Sequence, residues 1–129
     1  MIEAMVRHNV QFLDQMTIID NGSTDGTAEI LAALRDEGLP LDIRHDPALG
    51  HIQTALVNDF VNGPDRDPTA YVFLLDGDEF LCADLAAFHA YLAVRPPSFA
   101  LGWKTYVPTR SDKARDVNVL TRITHARRR

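Results

Sequence analysis

The chain has 129 residues, 46% hydrophobic and 24% charged, with a formal net charge of −5; this fits one soluble domain with a core and excludes a low-complexity polymer. Its single cysteine, Cys82, excludes an internal disulfide framework and a cysteine-built zinc site, and it suits a reducing, cytoplasmic setting. No apolar run approaches the length of a membrane span, and the N-terminus carries no signal-peptide pattern.

Ile2, Met5, Val6, Asn9, Phe12 and Leu13 recur at helical spacing and predict an amphipathic helix over 2–14. Residues 15–20, with Thr17-Ile18-Ile19, predict a buried strand. Asn21 to Gly26 is a dense turn cluster. Asp25 is placed to cap the helix that follows, and Glu29 sits in its first turn against the macrodipole. Ile30, Leu31 and Leu34 give that helix an apolar face, and Gly38 and Pro40 stop it. Leu41 to His45 alternates like a second strand, broken by Pro47 and Gly50. A helix is predicted near 51–62 with Ile52, Leu56 and Phe60 on one side, then an exposed loop over 63–68.

The apolar run Tyr71-Val72-Phe73-Leu74-Leu75 predicts a central strand. Residues 83–94 predict a helix with Leu85, Phe88, Tyr91 and Leu92 inward, ended by Pro96-Pro97. Phe99 to Val107 has strand character, and Trp103 and Tyr106 within it are expected in the core, with stacking against a sugar face as the rival role. Residues 108–129 lack apolar periodicity and are expected to form a loosely ordered basic tail. The order α-β-α-β-α-β-α-β predicts an α/β fold, a mostly parallel sheet with helices on its faces. A doubly wound sheet begins on a strand, whereas this chain opens on a helix. That predicts a truncated end and an exposed sheet edge through which two copies could pair.

Charge is unevenly distributed. Residues 1–94 hold 4 basic and 16 acidic side chains, and residues 95–129 hold 9 basic and 2 acidic ones. The tail ends in Arg127-Arg128-Arg129, but no aromatic residues interleave with these arginines. A solvated tail is therefore favoured over a phosphate-binding one, and no nucleic-acid partner is expected.

The chemistry concentrates at two predicted strand ends. Asp76-Gly77-Asp78-Glu79 follows the run at 71–75 and gathers carboxylates whose mutual repulsion a divalent cation would relieve. Hard oxygen ligands suit Mg²⁺ or Mn²⁺. Gly77 lets the backbone turn sharply between the two aspartates. The competing reading is an acidic turn ahead of the next helix, with Glu79 and Asp84 near its N-terminus. The second cluster is Asp20-Asn21-Gly22-Ser23-Thr24-Asp25-Gly26-Thr27. Asp20 or Asn21 could hydrogen-bond a base or ribose, and the loop amides could face an anion. Alone, this cluster reads as an ordinary strand-to-helix turn. In an open α/β sheet both clusters would lie on the carboxyl edge, where ligands bind. His45 and His51 flank the break at Pro47 and Gly50 and read as surface loop residues, with contact to ligand phosphates as the rival role. His125 lies in the basic tail and is a metal-ligand candidate by residue type alone.

The stretch Ile18-Ile19-Asp20-Asn21-Gly22-Ser23-Thr24-Asp25-Gly26-Thr27, followed by Phe73-Leu74-Leu75-Asp76-Gly77-Asp78-Glu79-Phe80, resembles the family 2 glycosyltransferases of the GT-A fold. The resemblance covers roughly residues 1–107. It implies a Rossmann-like three-layer sandwich and a nucleotide-sugar-binding domain over 1–107, with 108–129 as the tail. It further implies metal-dependent transfer of a sugar from a nucleoside-diphosphate donor to an acceptor, usually with inversion. By the family pattern Asp20 or Asn21 contacts the nucleoside, with Gly22, Ser23 and Asp25 in the same loop. Asp76 and Asp78 match the metal and diphosphate motif, and Glu79 follows as in the subgroup reading Asp-x-Asp-Glu-Phe. Two family features are missing: the opening strand with its Asn-Glu-Ala type sequence, and an assignable catalytic base in 81–129. Two other readings compete. One is a non-catalytic remnant that binds nucleotide sugar. The other is a haloacid dehalogenase-type phosphatase with Asp76 as nucleophile, against which Phe80 counts.

Overall fold

Glycine and proline punctuation sets where the elements stop, and apolar spacing sets which faces they bury. The structure, a computed structural model, describes residues 1–46, 53–64, 67–95, 98, 100–110, 112, 118–123 and 126. The elements are α1 (Ile2–Asn9), β1 (Met16–Asp20), α2 (Thr27–Asp36), β2 (Leu41–His45), α3 (Gln53–Asn62), α4 (Leu85–Ala93) and the single turn α5 (Val119–Arg122). The protein is mixed α/β, with a two-stranded parallel sheet among the described residues. The chain divides into two compact units, one of residues 15–79 and one of residues 1–14 with 80–129.

The unit of residues 15–79 is built on β1-α2-β2. The strands pair in parallel from Met16 opposite Leu41 to Asp20 opposite His45. Met16 N–H donates to Pro40 O at one end, and Asp46 N–H donates to Asp20 O at the other, both at 2.9 Å. Parallel strands need a crossover, and α2 supplies it. Leu31 and Leu34 are its buried side chains, whereas Ile30, expected beside them, is exposed. The helix ends in a Schellman motif. Leu39 N–H donates to Leu34 O, Gly38 N–H donates to Arg35 O, and Gly38 takes φ +93°. Only glycine accepts that backbone cheaply, which is why the stop falls there. On α3, Leu56 and Phe60 are half-buried as the spacing predicts; Ile52 lies outside the described residues.

Residues 71–75 form neither strand nor helix. Tyr71, Val72, Phe73 and Leu75 are half-buried, but Leu74 is 60% exposed. This corrects the expectation of a central strand. Apolar content makes a segment fit for a sheet, but strand formation needs a registered neighbour, and among the described residues the sheet holds β1 and β2 alone.

In the other unit, α1 buries Met5, Val6 and Asn9 and stops five residues before the predicted end. Phe12 N–H closes a turn onto Asn9 O. Asn9 is wholly buried, and its Oδ1 accepts from Leu81 N–H at 2.8 Å. His8 Nε2 donates to Leu81 O, and Phe12 meets Phe88 edge-on at 5.6 Å. Asp84 caps α4 by accepting from Ala87 N–H at 2.8 Å. Phe88 is buried and Leu92 half-buried, but Leu85 and Tyr91, expected inward, are exposed. The strand expected over 99–107 is also corrected. Described residues there are exposed, and only Tyr106 bridges, in antiparallel fashion, to Ala126. Trp103 at 62% and Tyr106 at 47% exposure are not core residues. Asn118 caps α5 through Leu120 N–H. Among the described residues no helix is long and apolar enough to cross a membrane.

Candidate functional site

Both sequence clusters fall within the unit of residues 15–79. The first begins where β1 ends. Asp20 is only 7% exposed, unusual for a carboxylate, so its oxygens need partners. Oδ1 accepts from Ser23 N–H at 3.3 Å, and Oδ2 lies 3.3 Å from Nδ1 of His45. Hydrogen bonding from Ser23, its hydroxyl foremost, holds the Asp20 carboxyl below its ordinary value. The Ser23 N–H and His45 add to the lowering, and burial opposes it. Asp20 therefore sets the shape of the loop. Sequence reasoning missed this loop-shaping role of Asp20; the signal for it is an aspartate with a serine three positions on in a turn-rich stretch.

Asn21 stands next, exposed, and its Nδ2 donates to Asp46 O at 3.0 Å. That bond ties the loop to the end of β2. Gly22 and Gly26 take φ +71° and +82°. Ser23 and Thr24 are exposed. Asp25 accepts from both the N–H (3.3 Å) and the hydroxyl (2.7 Å) of Thr27. These bonds, the hydroxyl first, hold its carboxyl below the ordinary value. The N-cap expected at Asp25 is instead Gly26, without a side-chain cap bond, and Asp25 closes a local turn onto Thr27, the first residue of α2. His45 is the last residue of β2 with its side chain 62% exposed. It belongs to the strand rather than to a loop, and it flanks Asp20. His51 and His125 lie outside the described residues, as do Arg127, Arg128 and Arg129.

The second cluster is a turn. Glu79 N–H donates to Asp76 O, and Asp76 N–H donates to Glu79 Oε2, both at 3.1 Å. The reciprocal pair closes the loop and turns Glu79 inward as a half-buried brace. Asp76, Gly77 and Asp78 are exposed. Among the described residues no hydrogen bond or ion pair engages the Asp78 carboxylate. A Cβ built on Gly77 would meet nothing within 4 Å beyond its chain neighbours, so the turn is open at that position. Among the described residues no group of three or more His, Cys, Asp or Glu side chains converges as a ready metal cage.

Charge gives this unit its character. Residues 15–79 contain 13 acidic and 3 basic side chains. The two described arginines are already paired, Arg35 with Asp36 at 3.0 Å and Arg44 with Asp42 at 2.8 Å. Arg44 also lies 5.6 Å from the Phe60 ring centre. Arg66 lies outside the described residues. A polyanionic ligand approaching this unit therefore meets net repulsion unless a cation accompanies it.

No protein-family model matches the chain, and no curated protein and no solved structure matches it either.

Proposed function

We propose that this chain is a nucleotide-sugar-binding domain of GT-A type, similar to family 2 glycosyltransferases, acting with Mn²⁺ or Mg²⁺ in transfer of a sugar to an acceptor. One observation carries the reading. Asp78 offers an exposed carboxylate that, among the described residues, no protein cation engages, on an open turn, in a unit whose described arginines are spent on other carboxylates. With both described arginines of the unit engaged by carboxylates, hard carboxylate oxygens working through a divalent ion are the chemistry that suits a diphosphate there. Asp78, helped by Asp76, would hold that ion. When bound, it supplies neutralisation of charge developing on the leaving diphosphate.

The remaining roles belong to the chain's own groups. Asp20 holds the loop at 21–25 open by fixing Ser23, and the exposed loop from Asn21 to Thr24 faces the nucleoside. Glu79 braces the turn that presents Asp76 and Asp78. The base that activates the acceptor hydroxyl is not assigned. The three-layer arrangement and a cytoplasmic location belong to the same proposal, the second because Cys82 is an exposed free thiol. Calorimetric titration with uridine and guanosine diphosphate sugars, with and without Mn²⁺, tests the reading. Metal-dependent binding that Asp78→Ala abolishes is expected; binding indifferent to metal and to Asp78 would refute it.

A further inference from the structure

The chain contains two Asn-Gly pairs, Asn21-Gly22 and Asn62-Gly63. This dipeptide is chemically labile, because the glycine nitrogen meets no side chain in reaching the asparagine carbonyl. The two copies sit in opposite environments. Asn62 is the last residue of α3, and its Nδ2 donates to Asn58 O at 2.9 Å. The nitrogen that would attack is engaged, since Gly63 N–H donates to Phe60 O at 3.3 Å. Gly63 is also crowded: a Cβ there would fall 2.6 Å from Asp59 O. Helical backbone holds that nitrogen away from the side chain of the preceding residue.

Asn21 lies in the loop beyond β1, exposed. Gly22 has φ +71°, and a Cβ there would meet nothing within 4 Å. Among the described residues no hydrogen bond holds the Gly22 N–H. Asn21 Nδ2 donates to Asp46 O at 3.0 Å in a solvent-accessible bond.

We propose that Asn21 is a deamidation site and that the fold confines this chemistry to it, sparing Asn62. The Gly22 backbone nitrogen, losing its proton to hydroxide, attacks Cγ of Asn21. The new N–Cγ bond forms as the Cγ–Nδ2 bond breaks, and Nδ2 leaves as ammonia after taking a proton from water. The resulting succinimide is opened by water. Cleavage of the new N–Cγ bond gives aspartate, and cleavage of the original peptide bond gives isoaspartate. Either product replaces a donor to Asp46 O with a carboxylate, which loosens the tie between the ends of β1 and β2. It also adds a negative charge to a loop that already carries Asp20 and Asp25. The consequence for donor binding rests on the function proposed above; the chemistry does not.

The test incubates the full chain at neutral and at mildly alkaline pH, then maps peptides by mass spectrometry with enzymatic labelling of isoaspartate. Modification at residue 21 is expected at least severalfold faster than at residue 62, faster at the higher pH, and absent at that position in Asn21→Gln. In urea the two rates should converge, since the protection is structural. Equal rates in the folded protein, no product at residue 21, or a gap that persists in urea would each overturn the proposal. Asn21→Asp should bind nucleotide sugar more weakly than the parent. If it binds equally while residue 21 still deamidates, the donor-contact role of the loop fails and the modification site stands.

Discussion

Replacing Asp20 removes the carboxylate that shapes the loop at the end of β1. Asp20→Ala deletes the acceptor for Ser23 N–H and the neighbour of His45 Nδ1, both at 3.3 Å. Hydrogen bonds to charged groups contribute about 1.5–3 kcal/mol each when short and buried. Here both are long, and Ser23 and the His45 ring face water, which replaces the lost partner. The expected loss is therefore about 1.5 kcal/mol for the pair together. With a urea dependence of about 2 kcal/mol per molar, the midpoint falls by roughly 0.7 M. The pH dependence gives the sharper test. The Asp20 carboxyl is held below its ordinary 3.8, chiefly by Ser23. A group with a depressed folded value stabilises fully above the unfolded value, and that contribution is lost as pH falls through the folded one. The gap between parent and Asp20→Ala should be full at neutral pH and shrink below 3.8. Asp20→Asn, which keeps an acceptor but no charge, should lie between the two at neutral pH and meet the parent in acid. Urea melts across this range read all three proteins; a gap that stays constant with pH would refute the ionised, hydrogen-bonded role given to Asp20.

Other positions separate packing from surface. Leu31→Ala should cost about 2–4 kcal/mol, because Leu31 is fully buried, whereas Ile30→Ala should cost less than about 1 kcal/mol. Asn9→Ala leaves the Leu81 N–H without its acceptor inside the protein and should cost about 1–3 kcal/mol; Leu81 amide exchange would report the local opening. Gly38→Ala forces a side chain onto φ +93° and should cost about 1–2 kcal/mol in thermal melts. Gly77→Ala meets open space, so it should shift stability by no more than about 0.5 kcal/mol.

The sequence made some of this legible and hid the rest, for physical reasons. Elements whose limits are set locally were readable. Gly38 ends α2 through its own backbone, Leu31 and Leu34 mark its buried face, and β1 and β2 match their predicted spans closely. Elements that depend on distant partners were not. Residues 71–75 have the apolar content of a strand, and 100–107 has some of it, yet neither joins the sheet. At the site, residue types placed Asp20 and Asn21 as equal candidates for a nucleoside contact. The side-chain bonds divide them: Asp20 turns inward to Ser23 and His45, and Asn21 faces out, tied to Asp46. Asn9 counted as one more position on an apolar helix face. Its actual use, accepting from a backbone N–H 72 residues away, leaves no trace in local spacing.

Paramagnetic broadening by Mn²⁺ in the presence of a uridine or guanosine diphosphate sugar tests the central claim, that the turn at 76–79 and the loop at 20–25 serve one ligand. Amide signals of both segments should broaden together in the parent chain, while those near Gly38 and Met16 stay sharp, and the broadening should vanish in Asp78→Ala. Broadening confined to 76–79, or unchanged by the loss of Asp78, would contradict the account.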